Sequence, residues 1–353
     1  MGNDFDDEVR YKNIDMMLVA SMELDYVGKK ENLEKSFKTL RETCGDKIDG
    51  RPFLMLNWGK KSENGLCVEA CYPVKSDVST EEVSSWVFQD GESFTLKFKG
   101  KYEDLDESYK KIFNFASEHG VQPGMNFLEV YLSGIPAEDK EYEIELVMIL
   151  HPWFALLFDS VESILGPDAI IVLLNDLERI TPLTNQDERF MVVREIMEKL
   201  DEMTDEEQRY EVLSRCADFY PDTRIEELRA VYEKDHSVDD VLGEMNKEQD
   251  WFSKPWREGR EIHIIKVPHD KKNYESAKTP EEKRKYYCHC PMIRDSLDEG
   301  MPAIFCYCGT GWIRQQWEGI LGIPLKVRLI RSLLKGDDVC EFAVELPEEI
   351  EVD

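Results

Sequence analysis

The feature that most constrains the fold is an internal duplication. The segment DYVGKKENLEKSFKTL begins at Asp25, and KFKGKYEDLDESYKKI begins at Lys97, a spacing of 72 residues (25 to 97). In each copy a short alternating run ends at a glycine, and apolar residues then recur every three or four positions, as in an amphipathic helix. Each copy is therefore predicted to fold as a strand, a turn and a helix. The matching pairs are Gly28 and Gly100, Glu31 and Glu103, Leu33 and Leu105, Ser36 and Ser108, Phe37 and Tyr109, and Lys38 and Lys110.

Two alternating apolar runs follow each predicted helix. RPFLMLNWG and GLCVEACYPV flank residues 60–64 after the first helix, and FLEVYLSG and EYEIELVMIL flank residues 134–140 after the second. Alternation on both sides of a turn predicts a β-hairpin. The repeated unit is then β-α-β-β, and two such units related by a pseudo-two-fold axis form one antiparallel sheet with both helices on one face. The helix-free face is expected to be a shallow concave binding site.

Residues 10–150 resemble the GyrI-like (gyrase-inhibitor-like) effector-binding domains of multidrug-responsive regulators. The resemblance is carried by the Gly-x-x-Glu-x-Leu start of both helices, by VEACYPV, by the EVYL segment at residues 129–132 and by the acidic last strand. It implies a groove with a central carboxylate that binds amphipathic, cationic or aromatic small molecules, and some members of the family are hydrolases. Transferred to this sequence, the carboxylate is Glu145 and the groove tyrosine is Tyr131. The run ELVMIL stands where the family often has a proline, which leaves the register of the carboxylate open by two positions.

Glu145, Tyr131, Trp58 and Phe53 are the candidate ligand-binding residues. A half-buried carboxylate among aromatic rings attracts a cation that has left water. The alternative for Glu145 is a solvated sheet face, because glutamates at alternate positions of E-Y-E-I-E-L commonly line the exposed side of a half-buried sheet. The alternative for Tyr131 is a tyrosine at the edge of the core. Both alternatives stay open at the level of the sequence.

The middle of the chain is predicted to be helical. From residue 151 to about 250 the apolar period changes from 2 to 3.6, which favours the core of a small helical bundle. Capping boxes are predicted at Thr204 and Thr223, each with a glutamate three residues on, and a weaker one at Ser237. Cys216 is expected to be a buried apolar residue, and the alternative is a ligand to the cysteine site further along the chain. The predicted helices span residues 167–180, 186–202, 205–219, 224–234 and 238–250.

Cysteines cluster in the C-terminal segment. YYCHCPMIRDSL and FCYCGTGW hold two each, and another lies in KGDDVCEF. Cys288, Cys290, Cys306, Cys308 and Cys340 are the candidate metal ligands, because thiolates are preferred ligands of zinc. The Cys-x-Cys spacing differs from the Cys-x-x-Cys of zinc knuckles, and residues i and i+2 of a strand share a face without any metal. Zinc, metal-free buried or reactive thiols, and an iron-sulfur centre are left as alternatives.

Residues 255–350 resemble the vinyl-reductase-type small-molecule-binding domain, sometimes called a hydrocarbon-binding domain. The resemblance is carried by FCYCGTGWIRQQWEGILG, a following strand and KGDDVCEFAVELP. It implies a second ligand-binding module and, as in phenol-sensing members, a zinc site to which Cys306 and Cys340 correspond. Leu329 and Ser332 stand at the other two ligand positions. The glycines of GTGW lack the partners of a phosphate-binding loop and are expected to allow close packing at a helix start.

The charge of the chain bears on its partners. There are 44 Lys and Arg residues and 74 Asp and Glu residues, a net charge of −30, which repels a nucleic-acid backbone. No apolar run reaches the roughly 18 residues that a membrane span needs, and no signal-peptide pattern is visible, so a cytoplasmic location without membrane contact is expected. A homo-oligomeric state or a protein partner is left open.

Together these patterns predict an α+β protein in three parts. Residues 1–152 form the GyrI-like domain, 153–252 a helical segment, and 253–353 the cysteine-rich domain. The expected function is the binding or sensing of a small amphipathic, cationic or aromatic molecule without a DNA-binding module. The alternative is a hydrolase that acts through the groove or through the C-terminal cysteine or metal site.

Overall fold

The computed structural model describes residues 8–24, 30–62, 65–136, 140–175, 177, 180–247 and 255–351. The chain divides into two compact units, Met1–Pro152 and Trp153–Asp353. The second unit holds both segments that the sequence analysis separates at residue 252. Gly28 of the repeat, residues 63–64 and 137–139 of the predicted turns, and the end of the last predicted helix at 248–250 lie outside the described residues.

The described residues of the first unit form one antiparallel sheet and two helices. The elements are β1 (Arg10–Ile14), β2 (Met17–Leu24), α1 (Lys30–Cys44), β3 (Phe53–Ser62), β4 (Gly65–Pro73), β5 (Ser84–Phe88), β6 (Gly91–Lys101), α2 (Leu105–Glu118), β7 (Pro123–Tyr131) and β8 (Glu141–Leu150). The strands pair in the order β1-β6-β8-β7-β3-β4-β2-β5, so β6-β8-β7 on one side matches β2-β4-β3 on the other, with β7 and β3 adjacent at the pseudo-two-fold. The α+β class and the repeated β-α-β-β unit are thereby confirmed.

Both helices pack on one face of this sheet, as predicted. Phe37 of α1 and Ile112 of α2 lie in one core with Leu54 and Ile144 of the strands. The helix-free face is not the open, shallow site that the sequence analysis expects. Alternate strand residues on that face are apolar and no more than 3% exposed, so they form no open surface for a ligand: Val19, Phe53, Met55, Cys71, Phe88, Leu128 and Val147.

The described residues of the second unit form helices around a small antiparallel sheet with the strand order β11-β12-β10-β9. No helix in the described ranges combines the length and the apolar character needed to cross a membrane. The elements are α3 (Trp153–Leu165), α4 (Pro167–Leu173), α5 (Gln186–Met203), α6 (Glu206–Ser214), α7 (Asp222–Asp235), α8 (Val238–Met245), β9 (Trp256–Glu258), β10 (Glu261–Ile265), α9 (Lys271–Ser276), α10 (Pro280–Tyr287), α11 (Cys308–Leu321), β11 (Lys326–Arg331) and β12 (Glu341–Glu345).

Two predicted helix caps are wrong. α6 begins after Asp205, which forms the capping box, because the Thr204 hydroxyl instead donates to a carbonyl at the end of α5. α7 begins after Pro221 without a side-chain cap, and Thr223 lies inside the helix. The predicted cap at Ser237 is confirmed by the hydrogen bond that its hydroxyl accepts at the start of α8. The start of α6 therefore differs from the prediction because the Leu200 carbonyl of α5 takes the Thr204 hydroxyl.

Two glycines at the start of α11 allow other elements to approach closely. A Cβ built at Gly311 would lie 1.7 Å from the carbonyl oxygen of Ser214 at the end of α6. A Cβ at Gly309 would lie 2.9 Å from the ring of Phe342 on β12. The close packing expected for the GTGW glycines is thereby confirmed, and it places α11 against both α6 and the sheet.

Replacement of Gly311 by alanine is expected to destabilise the second unit by about 3 kcal/mol, because the Cβ meets backbone atoms that cannot rotate away. The matched control is Gly243→Ala, also inside a helix, where nothing lies within 4 Å of the added Cβ. This change should stabilise the protein by about 0.5 to 1 kcal/mol through helix propensity. Urea unfolding measures both. Equal effects of the two substitutions would contradict the close approach of α6 and α11.

Candidate functional site

The four residues of the predicted ligand site do not form one cluster. Phe53, Val130 and Glu145 lie directly opposite one another on β3, β7 and β8, so their side chains share the helix-free face. Tyr131 is the next residue after Val130 and therefore points to the helix side, where it is 1% exposed. Trp58 is 46% exposed. Strand alternation thus separates Tyr131 from the predicted carboxylate.

Glu145 also already has a positively charged neighbour. The ammonium of Lys12 on β1 lies 3.5 Å from its carboxylate, and the Glu145 side chain is 16% exposed. Phe53, two strands away in the same row, belongs to the closed apolar cluster of that face. The ligand-binding role of these two residues stays a prediction.

A different carboxylate, that of Glu129 on β7, lies beside Tyr131. Glu129 is 4% exposed, and three tyrosine hydroxyls donate hydrogen bonds to it. Tyr102 donates to Oε2 at 2.8 Å, Tyr131 donates to the same oxygen at 3.1 Å, and Tyr109 donates to Oε1. No basic side chain of the described residues pairs with Glu129. We call these four residues the Glu129 cluster.

The second repeat supplies all members of the Glu129 cluster. Glu129 and Tyr131 stand two positions apart on β7 and therefore share a face. Tyr102 lies in the 3-10 turn Tyr102–Asp104 that leads into α2, and Tyr109 lies on α2 itself. The strand and helix of one β-α-β-β unit thus bring the carboxylate and its donors together.

Aromatic rings from both repeats surround the cluster. The ring of Phe37 on α1 lies edge-on to Tyr131, with the centroids 5.7 Å apart, and to Tyr72 at 5.9 Å. The ring of Tyr109 lies 4.9 Å from that of Phe127. Phe37 and Tyr109 are equivalent positions in the duplication. Tyr109 bonds to the carboxylate itself, whereas Phe37 contacts the ring of Tyr131.

Burial dominates the electrostatics of the cluster. It raises the pKa of Glu129 above the ordinary value for glutamate, while the hydrogen bonds from Tyr109, Tyr102 and Tyr131 lower it in part. Burial and the Glu129 charge raise the pKa of Tyr131 well above its ordinary value. Tyr131 therefore keeps its proton and acts as a hydrogen-bond donor to the carboxylate.

Glu129 is a candidate site residue that the sequence pattern does not single out. In the sequence, the EVYL segment supports the family resemblance, and that resemblance places the carboxylate at Glu145. The usable signal was the Glu-x-Tyr spacing of residues 129 and 131, which places both side chains on one face of a strand.

The substitution Glu129→Gln is expected to change how stability depends on pH. Because the pKa of Glu129 is raised, the protonated carboxyl contributes stability that is complete below the ordinary range of glutamate and is lost as the pH rises through the raised pKa. The amide cannot ionise. The stability of the variant relative to the wild type should therefore rise from about pH 4 to about pH 8, by about 1.4 kcal/mol for each unit by which the pKa is raised.

Urea unfolding at a series of pH values measures this difference. The control is Glu143→Gln on β8, whose carboxylate is 42% exposed and pairs with Lys99 at 3.0 Å. The stability of this control variant relative to the wild type should show no comparable rise with pH. A flat difference for Glu129→Gln would show that the carboxylate titrates as in the unfolded chain.

The five C-terminal cysteines lie around one end of α11. Cys288 and Cys290 follow α10, Cys306 lies in the 3-10 turn Ala303–Tyr307, Cys308 begins α11, and Cys340 precedes β12. All five are free thiols. Burial raises the pKa of each, that of Cys290 to about 11. These thiols are therefore protonated near neutral pH and are weak nucleophiles.

Neither histidine nor carboxylate completes a metal site here. His289 Nε2 lies 2.7 Å from the carbonyl oxygen of Val267, and burial lowers the pKa of His289 to about 3. Within the described ranges, no group of three or more His, Cys, Asp or Glu side chains is arranged to hold a metal ion. Zinc at Cys288, Cys290, Cys306, Cys308 and Cys340 stays a prediction from the sequence. Cys216, 1% exposed, is the buried apolar residue that was expected.

Native protein purified under reducing conditions is expected to react slowly with iodoacetamide at these five thiols. Because burial raises their pKa, the rate near neutral pH should be at least about tenfold below that of free cysteine. Mass spectrometry of the C-terminal peptides measures the rate, and urea-unfolded protein is the control. About one zinc per chain, lost in the Cys306→Ser, Cys340→Ser double variant, would contradict the metal-free arrangement and support zinc.

One family model matches the part of the chain that holds the Glu129 cluster. Residues 10–150 match the model described as GyrI-like small molecule binding domain. The GyrI-like domain predicted for the N-terminal part is thereby confirmed. The vinyl-reductase-type resemblance of residues 255–350 stays a prediction. None of the curated proteins matches this chain.

Several solved structures are similar to part of the chain. EcmrR in a complex with DNA is 17% identical with a TM-score of 0.35, and the match covers 40% of this chain but only 57% of EcmrR. A hydrolase from Listeria innocua is 14% identical with a TM-score of 0.31, covering 41% of this chain and 92% of that one. SAV2435 bound to tetraphenylphosphonium is 8% identical with a TM-score of 0.29, covering 41% and 94%.

Proposed function

We propose that this protein binds hydrophobic cations and cationic aromatic molecules at the Glu129 cluster of its GyrI-like domain. The observation that carries the proposal is a buried carboxylate that has three hydroxyl donors and no basic partner among the described residues. The match of residues 10–150 to a small-molecule-binding family supports the same part of the chain.

The energetics of Glu129 favour a cationic ligand. A carboxylate that has lost its water is costly unless opposite charge or strong hydrogen bonds compensate it. The three tyrosines compensate it in part, and its pKa is still raised. A ligand that brings a positive charge supplies the missing compensation, and the rings of Phe37, Tyr72 and Phe127 supply apolar and cation–π contact.

The half-buried tyrosines provide the route to the carboxylate. Tyr102 and Tyr109 are only partly covered, whereas Tyr131 is fully buried. Both lie on the turn and helix of residues 102–118, so a ligand can reach Glu129 by displacing their hydroxyls. The bound cation then takes the place of two neutral donors.

The role that fits such a site is sensing or sequestration of the ligand in the cytoplasm. The net charge of −30 disfavours direct contact with nucleic acid, so the signal would pass to a protein partner or to a second copy of the chain. This part of the proposal rests on charge and on the sequence.

A hydrolase is the second candidate, and the raised pKa of Glu129 favours it. A carboxyl with a raised pKa, hydrogen-bonded to tyrosines in a ligand site, has the properties of a general acid or base. Glu129 would take the proton of an attacking water and Tyr131 would stabilise the charge that forms on the substrate. Turnover of a bound ligand, with loss in Glu129→Gln, would distinguish catalysis from binding.

Glu129→Gln is expected to weaken the binding of tetraphenylphosphonium, a rigid hydrophobic monocation, by at least tenfold, because the amide carries no charge. Calorimetric titration near neutral pH measures the affinity. The matched variant is Glu145→Gln, the carboxylate on the other face of the sheet, which should change the affinity less than threefold. In the wild type, binding should weaken as the pH falls through the raised pKa of Glu129. A larger loss in Glu145→Gln would contradict the site.

A further inference from the structure

The second unit contains a cavity that is separate from the Glu129 cluster. Its volume is about 570 Å³, within the range of small-molecule sites. One wall is β11, the edge strand of the four-stranded sheet, and the opposite wall is α6. The lining residues that matter below are Glu206, Tyr210, Tyr307, Val327, Leu329 and Lys335.

The register of the sheet shows which backbone groups of β11 face the cavity. Strand β10 pairs with β12, and one hydrogen bond lies at each end of this pair. At one end the Lys266 N–H donates to the Cys340 carbonyl at 3.1 Å, and at the other the Leu346 N–H donates to the Arg260 carbonyl at 2.9 Å. In an antiparallel pair, the residues that exchange hydrogen bonds alternate along the strand. Even-numbered residues of β12 therefore bond to β10, and odd-numbered residues bond to β11.

The register of β11 against β12 shows which residues of β11 bond to the odd-numbered residues of β12. Lys326 and Arg328 lie opposite the odd-numbered Glu345 and Ala343 of β12, so their backbone groups are used within the sheet. The backbone groups of Val327 and Leu329 must then point away from β12, into the cavity. The Val327 N–H confirms this, because it donates to the Tyr210 hydroxyl of α6 at 3.3 Å.

Side chains already bond to two of the four backbone groups that Val327 and Leu329 present on this edge. The Tyr210 hydroxyl accepts from the Val327 N–H, and the Lys335 ammonium donates to the Leu329 carbonyl at 2.9 Å. The Val327 carbonyl and the Leu329 N–H have no partner among the described residues. Backbone groups at the wall of a cavity normally find a partner. One acceptor and one donor, two residues apart on the same side of a strand, are thus available to water or to a ligand.

The geometry of this pair favours a small molecule over an added strand. Strand addition needs a run of free N–H and C=O groups along the edge. Here Tyr210 and Lys335 interrupt the run, the Glu318 carboxylate accepts from the Leu325 N–H at 2.9 Å, and the register is irregular after Leu329. A single donor and a single acceptor remain. They match one planar ring with a complementary acceptor and donor side by side.

The other walls favour a neutral aromatic ligand. The rings of Tyr210 and Tyr307 lie 6.2 Å apart and form an aromatic wall. The guanidinium of Arg314, on α11, lies 5.9 Å from the centre of the Tyr210 ring. The charged side chains that line the cavity balance, with three carboxylates against three cations: Glu206, Glu207 and Glu211, and Lys326, Arg328 and Lys335. A ligand here gains little from carrying a charge.

We propose that this cavity binds a neutral planar heterocycle whose edge carries a hydrogen-bond donor next to an acceptor, as in the aminopyrimidines. The donor bonds to the Val327 carbonyl, the acceptor receives the Leu329 N–H, and the ring lies against Tyr210. The second unit then has a ligand site of its own, with a ligand class different from that of the Glu129 cluster.

The test titrates the full chain, labelled with 15N-leucine, with 2-aminopyrimidine and follows the amide resonances by NMR. The Leu329 signal is identified by its disappearance in Leu329→Ile. We expect a saturable shift of the Leu329 amide, with the millimolar affinity of a fragment of this size. No saturable shift at Leu329 would overturn the proposal.

Two matched probes and two matched variants sharpen the test. 2-(Dimethylamino)pyrimidine lacks the donor and aniline lacks the ring acceptor, so each should bind at least tenfold more weakly than 2-aminopyrimidine. Tyr210→Ala removes the aromatic wall and should also cost at least tenfold, whereas Tyr210→Phe keeps the ring and should change the affinity less than threefold. Equal binding of all three probes would show that the open backbone pair is not used.

Discussion

The pairing of β3 with β7 is the contact on which the first unit depends. It joins the two β-α-β-β units into one sheet with both helices on the same face. It also determines which side chains meet, because Leu54 lies opposite Glu129 and Phe53 lies opposite Val130. A slip of one residue in β7 would carry the Glu129 carboxylate to the other face, away from Tyr109 and its partners. The register of one strand pair therefore decides whether the carboxylate cluster exists.

Both ligand sites proposed for this protein arise where the fold leaves a polar group incompletely satisfied. In the first unit it is a buried carboxylate with hydroxyl donors and no cation among the described residues. In the second it is a carbonyl and an N–H of an edge strand, whose neighbours are already bonded to Tyr210 and Lys335. The first favours positive charge, and the second favours a neutral ring with a matched edge. The two units are thus suited to chemically different ligands.

Much of the first unit could be predicted from the sequence, because the duplication and the strand alternation are local patterns. Strand alternation did not identify the carboxylate of the site. It gives the parity of residues within one strand, so it correctly links Glu129 with Tyr131, but it does not say which face of β8 packs under the helices. Glu145 was therefore grouped with Tyr131, although the pairing of β7 with β8 places Glu145 opposite Val130 on the helix-free face. In the second unit the spacing of the cysteines could not show whether their sulfurs converge.

Four properties can be inferred from the amino-acid sequence alone: the repeated strand-helix-hairpin unit, the α+β class, the close packing of the GTGW glycines and the strong negative charge. These follow from periodicity and composition, which are properties of neighbouring residues. Three further features require the three-dimensional arrangement: Glu129 is a buried carboxylate, the apolar residues of the helix-free face are buried, and Val327 and Leu329 line a cavity. Each of these depends on which strand lies beside which and in what register, and that is set by contacts between residues far apart in the chain.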